Sequence, residues 1–253
     1  MTKYLFLKQT CWRSTALIVI LVLTTSLLSG CLYRGERQQG GPVSYIESVD
    51  RVQRAIDRFQ EDKAILPIIT AGEDTPRYEK YKIDLNQLKR EGYLDELPAA
   101  AFEQGGSVYF LVIDEETDPT VKVMDLNTVQ KVNDVQHKVL SYRTSHSNAL
   151  PGEAEAEGEV YPGLYTVNLS LLKADSLALT SVYSGETLSY LMDKQGNVYV
   201  NYAFDIMQAI DQSGKTPQGD EDLRTWLTDR SAFVPVKSLP YRWNGSEPVP
   251  YLN

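Results

Sequence analysis

A spacing that occurs twice constrains this chain more than any other feature. Val49, Val52, Ile56 and Phe59 stand three, four and three residues apart, and Val132, Val135, Val139 and Tyr142 repeat those steps 83 positions later. Such steps place apolar side chains on one stripe of a helix, so each stretch predicts an amphipathic helix with one face to bury. The segment beyond each helix recurs as well. Leu66-Pro67 returns as Leu150-Pro151, and the same shift of 84 carries Tyr81, Leu85, Leu88 and Lys89 to Tyr165, Leu169, Leu172 and Lys173. It also exchanges Asp84 for Asn168, one preferred N-cap for another. A fixed period of this kind marks tandem supersecondary units.

Each unit closes with hairpin chemistry. Val108 to Ile113 and Thr120 to Met124 flank the acid-rich turn 114–119, and Thr187 to Met192 and Asn197 to Tyr202 flank Asp193-Lys194-Gln195-Gly196. Alternating apolar runs around such turns predict antiparallel strand pairs. Gly92 stands where a helix end wants a left-handed residue, a place taken by Ser176 in the second copy. The expected fold is α+β: two tandem helix–loop–helix–β-hairpin modules with antiparallel strands, at 44–127 and 128–204. Residues 205–253 should add C-terminal helices around Phe204 to Ile210 and Asp220 to Asp229, then an extended Pro- and aromatic-rich tail along the surface.

The start of the chain is of another kind. Lys3, Lys8 and Arg13 precede an apolar run from Ser14 to Leu28 with no acid among them, the order of a secretory signal. At ~1.5 Å per residue the run spans about 22 Å, short of the ~30 Å of a bilayer core. Leu28-Ser29-Gly30-Cys31 at its end resembles the lipobox of bacterial lipoproteins. That resemblance implies a signal peptide over 1–30, cleaved after Leu28, Ser29 and Gly30, with lipid on Cys31. It implies residence on the outer face of the cytoplasmic membrane, held through the acyl chains. Residues 31–43 are polar and read as a flexible tether.

Charge and composition then exclude several classes. The chain carries a net charge of −9, which moves to about −12 without residues 1–30 and so disfavours nucleic acid. Cys11 leaves with the signal and Cys31 carries lipid, so the mature body has no thiol. His137 and His146 are the only imidazoles and have no metal-ligand spacing. Gly-x-Ser-x-Gly is absent, and Gly214-Lys215-Thr216 lacks the glycine a phosphate loop needs at Ala209. The acidic runs 114–118 and 153–157 lack the alternating ligands and central glycine of a calcium loop. The reading is therefore non-enzymatic, with no catalytic residues, no metal site and no cofactor.

Tyrosine is the unusual abundance, with 16 in the chain. Tyr161, Tyr165, Tyr183, Tyr190, Tyr199 and Tyr202 crowd the second module and form a candidate contact surface, although strand positions favour tyrosine for packing too.

Two resemblances bear on function. The first module, with Leu66-Pro67, Asp84-Leu85, Leu88 and Gly92-Tyr93-Leu94 before a hairpin, looks like the headpiece of pilin-type proteins. Over a longer stretch the chain is similar to the YphF-type lipoproteins of Bacillus and relatives. Gly30-Cys31-Leu32-Tyr33, Leu66-Pro67-Ile68, Pro119-Thr120-Val121-Lys122-Val123 and Ser238-Leu239-Pro240-Tyr241 carry that similarity. It implies a lipid-anchored binding or interaction protein of a Gram-positive cell envelope, with a protein or wall component as partner. The alternative is the solute-binding component of an ABC transporter, a label some members carry.

Overall fold

Helix α1 (Pro42–Lys63) opens the part of the chain that the computed structural model describes, residues 42–69, 71–152, 159–219 and 221–252. The signal, the lipobox, the tether up to residue 41 and the acidic run 153–157 lie outside the described residues. Val52, Ala55, Ile56 and Phe59 on its stripe are each at most 1 % exposed. Full burial of Val52, Ile56 and Phe59 contributes about 1.5–3 kcal/mol apiece, so packing rather than propensity holds the helix. Ala64, at φ 58, turns the chain out of it, and Leu66-Pro67 sends the backbone into extended geometry.

Two short helices, α2 (Arg77–Lys80) and α3 (Leu85–Arg90), come next. The Asp84 carboxylate accepts from Gln87 N at 2.8 Å, the cap its position predicted. Strands β1 (Val108–Ile113) and β2 (Thr120–Asp125) then pair antiparallel with Phe110 opposite Val123. Segment 81–83 lines the other edge of β1, with Ile83 N donating to Phe110 O at 2.9 Å and Val112 N to Tyr81 O at 2.8 Å.

The second unit repeats several of these bonds. Helix α4 (Leu126–Ser145) is capped by Asp125, which accepts from Thr128 N at 2.9 Å, and it buries Val132, Val135 and Val139. Asn168 N donates to Pro151 O at 3.1 Å as Asp84 N does to Pro67 O at 2.8 Å. Strands β3 (Glu159–Tyr161), β4 (Leu164–Thr166), β5 (Leu179–Thr180), β6 (Thr187–Leu188), β7 (Tyr190–Asp193) and β8 (Val198–Val200) complete it. Sheet order is β3-β4-β7-β8, with β5-β6 a separate pair. Tyr190 faces Val200 as Phe110 faces Val123, and Val167 N donates to Tyr190 O at 2.9 Å.

One glutamine in each long helix fixes the register of its hairpin. Gln53 donates to Pro119 O at 2.9 Å and accepts from Val121 N at 2.7 Å. Gln136 donates to Gly196 O at 2.6 Å and accepts from Val198 N at 2.8 Å. The side-chain amide thus spans two backbone groups that the start of the second strand leaves unpaired.

The expected second short helix of the second unit is reduced to a turn. Asn168 Oδ1 accepts from Leu171 N at 2.9 Å, as a cap should, but Lys173 takes φ 51 and ends the turn. In the first unit the left-handed exit waits until Gly92, at φ 83.

The C-terminal segment carries the expected helices, and its extended tail pairs into a hairpin, so that the whole is a third, shorter version of the same plan. Helix α5 (Ala203–Ser213) buries Ile206, Ala209 and Ile210, spaced as Val52, Ala55 and Ile56 are. A short helix α6 (Thr225–Thr228) precedes strands β9 (Tyr241–Trp243) and β10 (Pro248–Pro250). Leu223 N donates to Tyr241 O at 2.9 Å, the third instance of the bond that Ile83 and Val167 make, and Tyr241 faces Pro250. Proline at 248 has no N–H for a glutamine to receive, and α5 supplies none there. Pro248 and Pro250 are compatible with a strand because β10 pairs only with β9, leaving their nitrogens on a free edge.

Segment 232–237 joins the units. Val123 N donates to Ala232 O at 2.8 Å, Val234 N to Val123 O at 3.0 Å, and Val200 N to Lys237 O at 2.8 Å. The late segment therefore runs beside β2 and then beside β8, binding the first hairpin to the second.

Candidate functional site

The six tyrosines do not form a contact surface. Tyr190 and Tyr202 are 1 % and 2 % exposed, Tyr165 is buried, and Tyr161, Tyr183 and Tyr199 are half-buried. Four of the hydroxyls are spent inside the fold: Tyr190 donates to Leu177 O at 2.7 Å, Tyr202 to Val236 O at 3.2 Å and Tyr183 to Phe233 O at 3.3 Å. Tyr199 donates to Asp193 Oδ2 at 3.3 Å. The rings of Tyr165, Tyr183, Tyr190 and Tyr202 pack in the core that α4 and α5 share with the sheet, those of Tyr161 and Tyr199 pack against Leu164, Leu191 and Leu239, and the tips of Tyr183, Tyr190 and Tyr202 satisfy backbone carbonyls. Tyr241, absent from the sequence-based set, completes the cluster by accepting from Tyr202 N at 2.9 Å.

Two other places carry unspent polar chemistry. The first is a cleft of about 740 Å³ in the first unit. The periodicity that turns Val52, Ile56 and Phe59 inward turns Arg51, Arg54 and Arg58 outward along one side of α1. The facing wall is Tyr93, Leu94, Asp95 and Glu96, just past α3. Arg58 Nη2 donates to Tyr93 O at 2.7 Å, Tyr93 donates to Asp62 Oδ2 at 2.8 Å, and the Tyr93 ring meets Phe59 edge-on at 5.1 Å. These contacts hold the walls apart at a fixed spacing. The hydrogen bond to Asp62, with burial secondary, raises the Tyr93 phenol above its ordinary range. Arg51 and Arg54 are exposed and have no ion-pair partner among the described residues.

The span that contains both walls has relatives. Residues 45–125 match the model of the YphF family N-terminal domain. The first unit is thus similar to the N-terminal domain of that family. The match ends where β2 does, so the YphF N-terminal domain coincides with one complete helix–loop–helix–hairpin unit and the arginine cleft lies wholly within it. No curated protein and no solved structure matches the chain. Among the described residues no helix is long and apolar enough to cross a membrane.

The second place is a niche of about 180 Å³ beyond the YphF N-terminal domain, between α5, α6 and the loop joining β5 to β6. At its base Asp205, 2 % exposed, accepts from Ser181 Oγ at 2.8 Å and from Ser184 Oγ at 2.6 Å. Ser181 Oγ in turn accepts from Tyr183 N and Ser184 N, at 3.0 and 3.2 Å, which fixes its hydroxyl toward the carboxylate. Burial pushes the Asp205 carboxyl up from its ordinary range, against the two serine bonds. No cation pairs with it among the described residues. Nothing in the sequence reading singled out this group. The available signal was an aspartate set on the same helical stripe as Ala209.

The remaining sequence candidates sit apart from both places. His137 is exposed on α4, and His146 stacks on Tyr142 at 3.9 Å just beyond its end. Gly214, at φ 65, closes α5, so Gly214-Lys215-Thr216 is a helix exit.

Proposed function

We propose that this chain is a lipid-anchored, extracytoplasmic binding protein of the cell envelope, non-enzymatic, which engages a protein or wall component through the arginine cleft of its first unit. The supporting observation is the cleft's two-sided charge. Exposed guanidiniums at Arg51 and Arg54 stand without ion-pair partners among the described residues on one wall, where Arg58 and the single acid Asp57 leave a net positive charge, and Asp95 and Glu96 stand on the other. A cleft with opposite signs on its two walls suits a partner that itself carries both signs, such as a peptide segment or an amino-sugar polymer bearing carboxylates. Arginine adds planar, bidentate recognition of carboxylate or phosphate. The lipobox-like Leu28-Ser29-Gly30-Cys31 and the polar residues after it support attachment to the membrane by two or more acyl chains, which needs no help from the folded part.

In-cell crosslinking followed by mass spectrometry tests the partner. A specific neighbour should be recovered with the wild type and lost with Arg51→Glu/Arg54→Glu, and equal recovery from both would defeat the cleft assignment. The anchor is tested separately. Cys31→Ala should release the protein to the medium or leave it at precursor mass, whereas unchanged membrane retention at mature mass would remove the lipid from the argument.

A further inference from the structure

We propose that the niche over Asp205 is a binding site for a single sugar ring. The inference is independent of the arginine cleft, which lies in another unit, and of the anchor.

Three observations converge on it. The first is size. A volume of about 180 Å³ is on the scale of one small ring such as a hexose. The second is the wall chemistry. Asp205, Gln208 and Gln212 recur along one face of α5, so a carboxylate and two amides are stacked on one side, Trp226 stands among the facing residues from α6, and Arg230 is at the rim. Planar polar groups of this kind each reach two neighbouring hydroxyls at once, while an aromatic face receives the slightly positive C–H face of a pyranose. The side chains of Gln208, Gln212 and Arg230 make no hydrogen bond or ion pair to other described residues, so their capacity is open.

The third is preorganisation. Each Asp205 oxygen already accepts one serine hydroxyl, and backbone N–H groups hold Ser181 in place, so the carboxylate presents its remaining lone pairs in a fixed direction before any ligand arrives. The carboxylate is thus built to accept O–H donors. A buried carboxylate with no counter-ion is destabilising, even with the start of α5 offsetting part of the cost, and proteins retain such groups where binding uses them.

Calorimetric titration of the detergent-solubilised full chain with glucose, N-acetylglucosamine, glycine and inorganic phosphate tests the site, with tryptophan emission as a second readout. Saturable binding of at least one sugar is expected, with a change in emission that Trp226→Phe abolishes. Asp205→Asn and Gln208→Ala should each weaken it about tenfold or more, with a thermal midpoint at or above the wild-type value for Asp205→Asn. Gln208 carries no internal bond, so its variant keeps the test valid if Asp205→Asn fails to fold. Saturable binding of glycine or phosphate in place of sugar, no binding of any probe, or sugar binding unchanged in both variants would overturn the proposal. None of these results would alter the crosslinking outcome at Arg51 and Arg54, so the two readings fail separately.

Discussion

Gln53 and Gln136 show how much of this fold rests on single side chains. Each amide closes two backbone groups at the mouth of its own hairpin, and each is half-buried. Removing one leaves an N–H and a carbonyl without partners, at about 1–3 kcal/mol for the loss. Gln136→Ala should therefore lower the unfolding free energy extrapolated from urea titration by an amount in that range, and Gln53→Ala should do likewise. The buried phenols set a second expectation. Burial holds Tyr190 and Tyr199 up to about 12, and Tyr183, Tyr202 and Tyr241 are raised well above their ordinary range. In the unfolded chain the same groups ionise near ~10. Between those values the folded state binds more protons than the unfolded state, so stability that is intact below pH ~10 is lost as pH rises toward about 12. Alkaline unfolding should coincide with tyrosinate absorbance in one cooperative transition; gradual ionisation of these phenols before unfolding would contradict their burial.

At the scale of elements, backbone approach decides as much as side chains do. A Cβ at Gly106 would overlap the carbonyl of Ala100, where the chain doubles back to start β1. Gly106→Ala should therefore destabilise the first unit by several kcal/mol, and circular dichroism during thermal melting should show a lower midpoint. The elements that depend on local rules were legible beforehand: the stripe of α1, the cap at Asp84 and the turn around 114–119 each derive from neighbours within a few positions. Three things were not. Lys173 adopts a left-handed conformation that its residue type disfavours, so only the surrounding packing reveals where that turn ends. The hairpin of β9 and β10 was hidden by Pro248 and Pro250, which normally argue against a strand and are tolerated here because that edge has no neighbour. The niche was invisible because Ser181, Ser184 and Asp205 come from a loop and a helix that meet only in the folded chain. The tyrosines misled for a related reason: composition counts aromatic rings but does not say whether their hydroxyls find partners inside.

At the scale of the whole molecule, a short segment from the last part of the chain carries the connection between units. Residues 232–237 lie along β2 and β8, and Lys122 Nζ donates to Thr228 O at 2.6 Å and Ser231 O at 3.0 Å beside them. Lys237 adds an ion pair to Glu79 at 3.0 Å. Removing residues 231–253 would bare N–H and carbonyl groups on both strands, and open strand edges invite pairing between chains. The truncated protein should lose its cooperative melt and elute as aggregates in size-exclusion chromatography, while Lys122→Ala alone should lower the midpoint and leave a monodisperse peak. Synthesis runs from the amino end, so the two early hairpins wait for partners that leave the ribosome last. The last-made segment thus acts as a clasp, closing the free edges of β2 and β8 over hairpins that already have their own pairing.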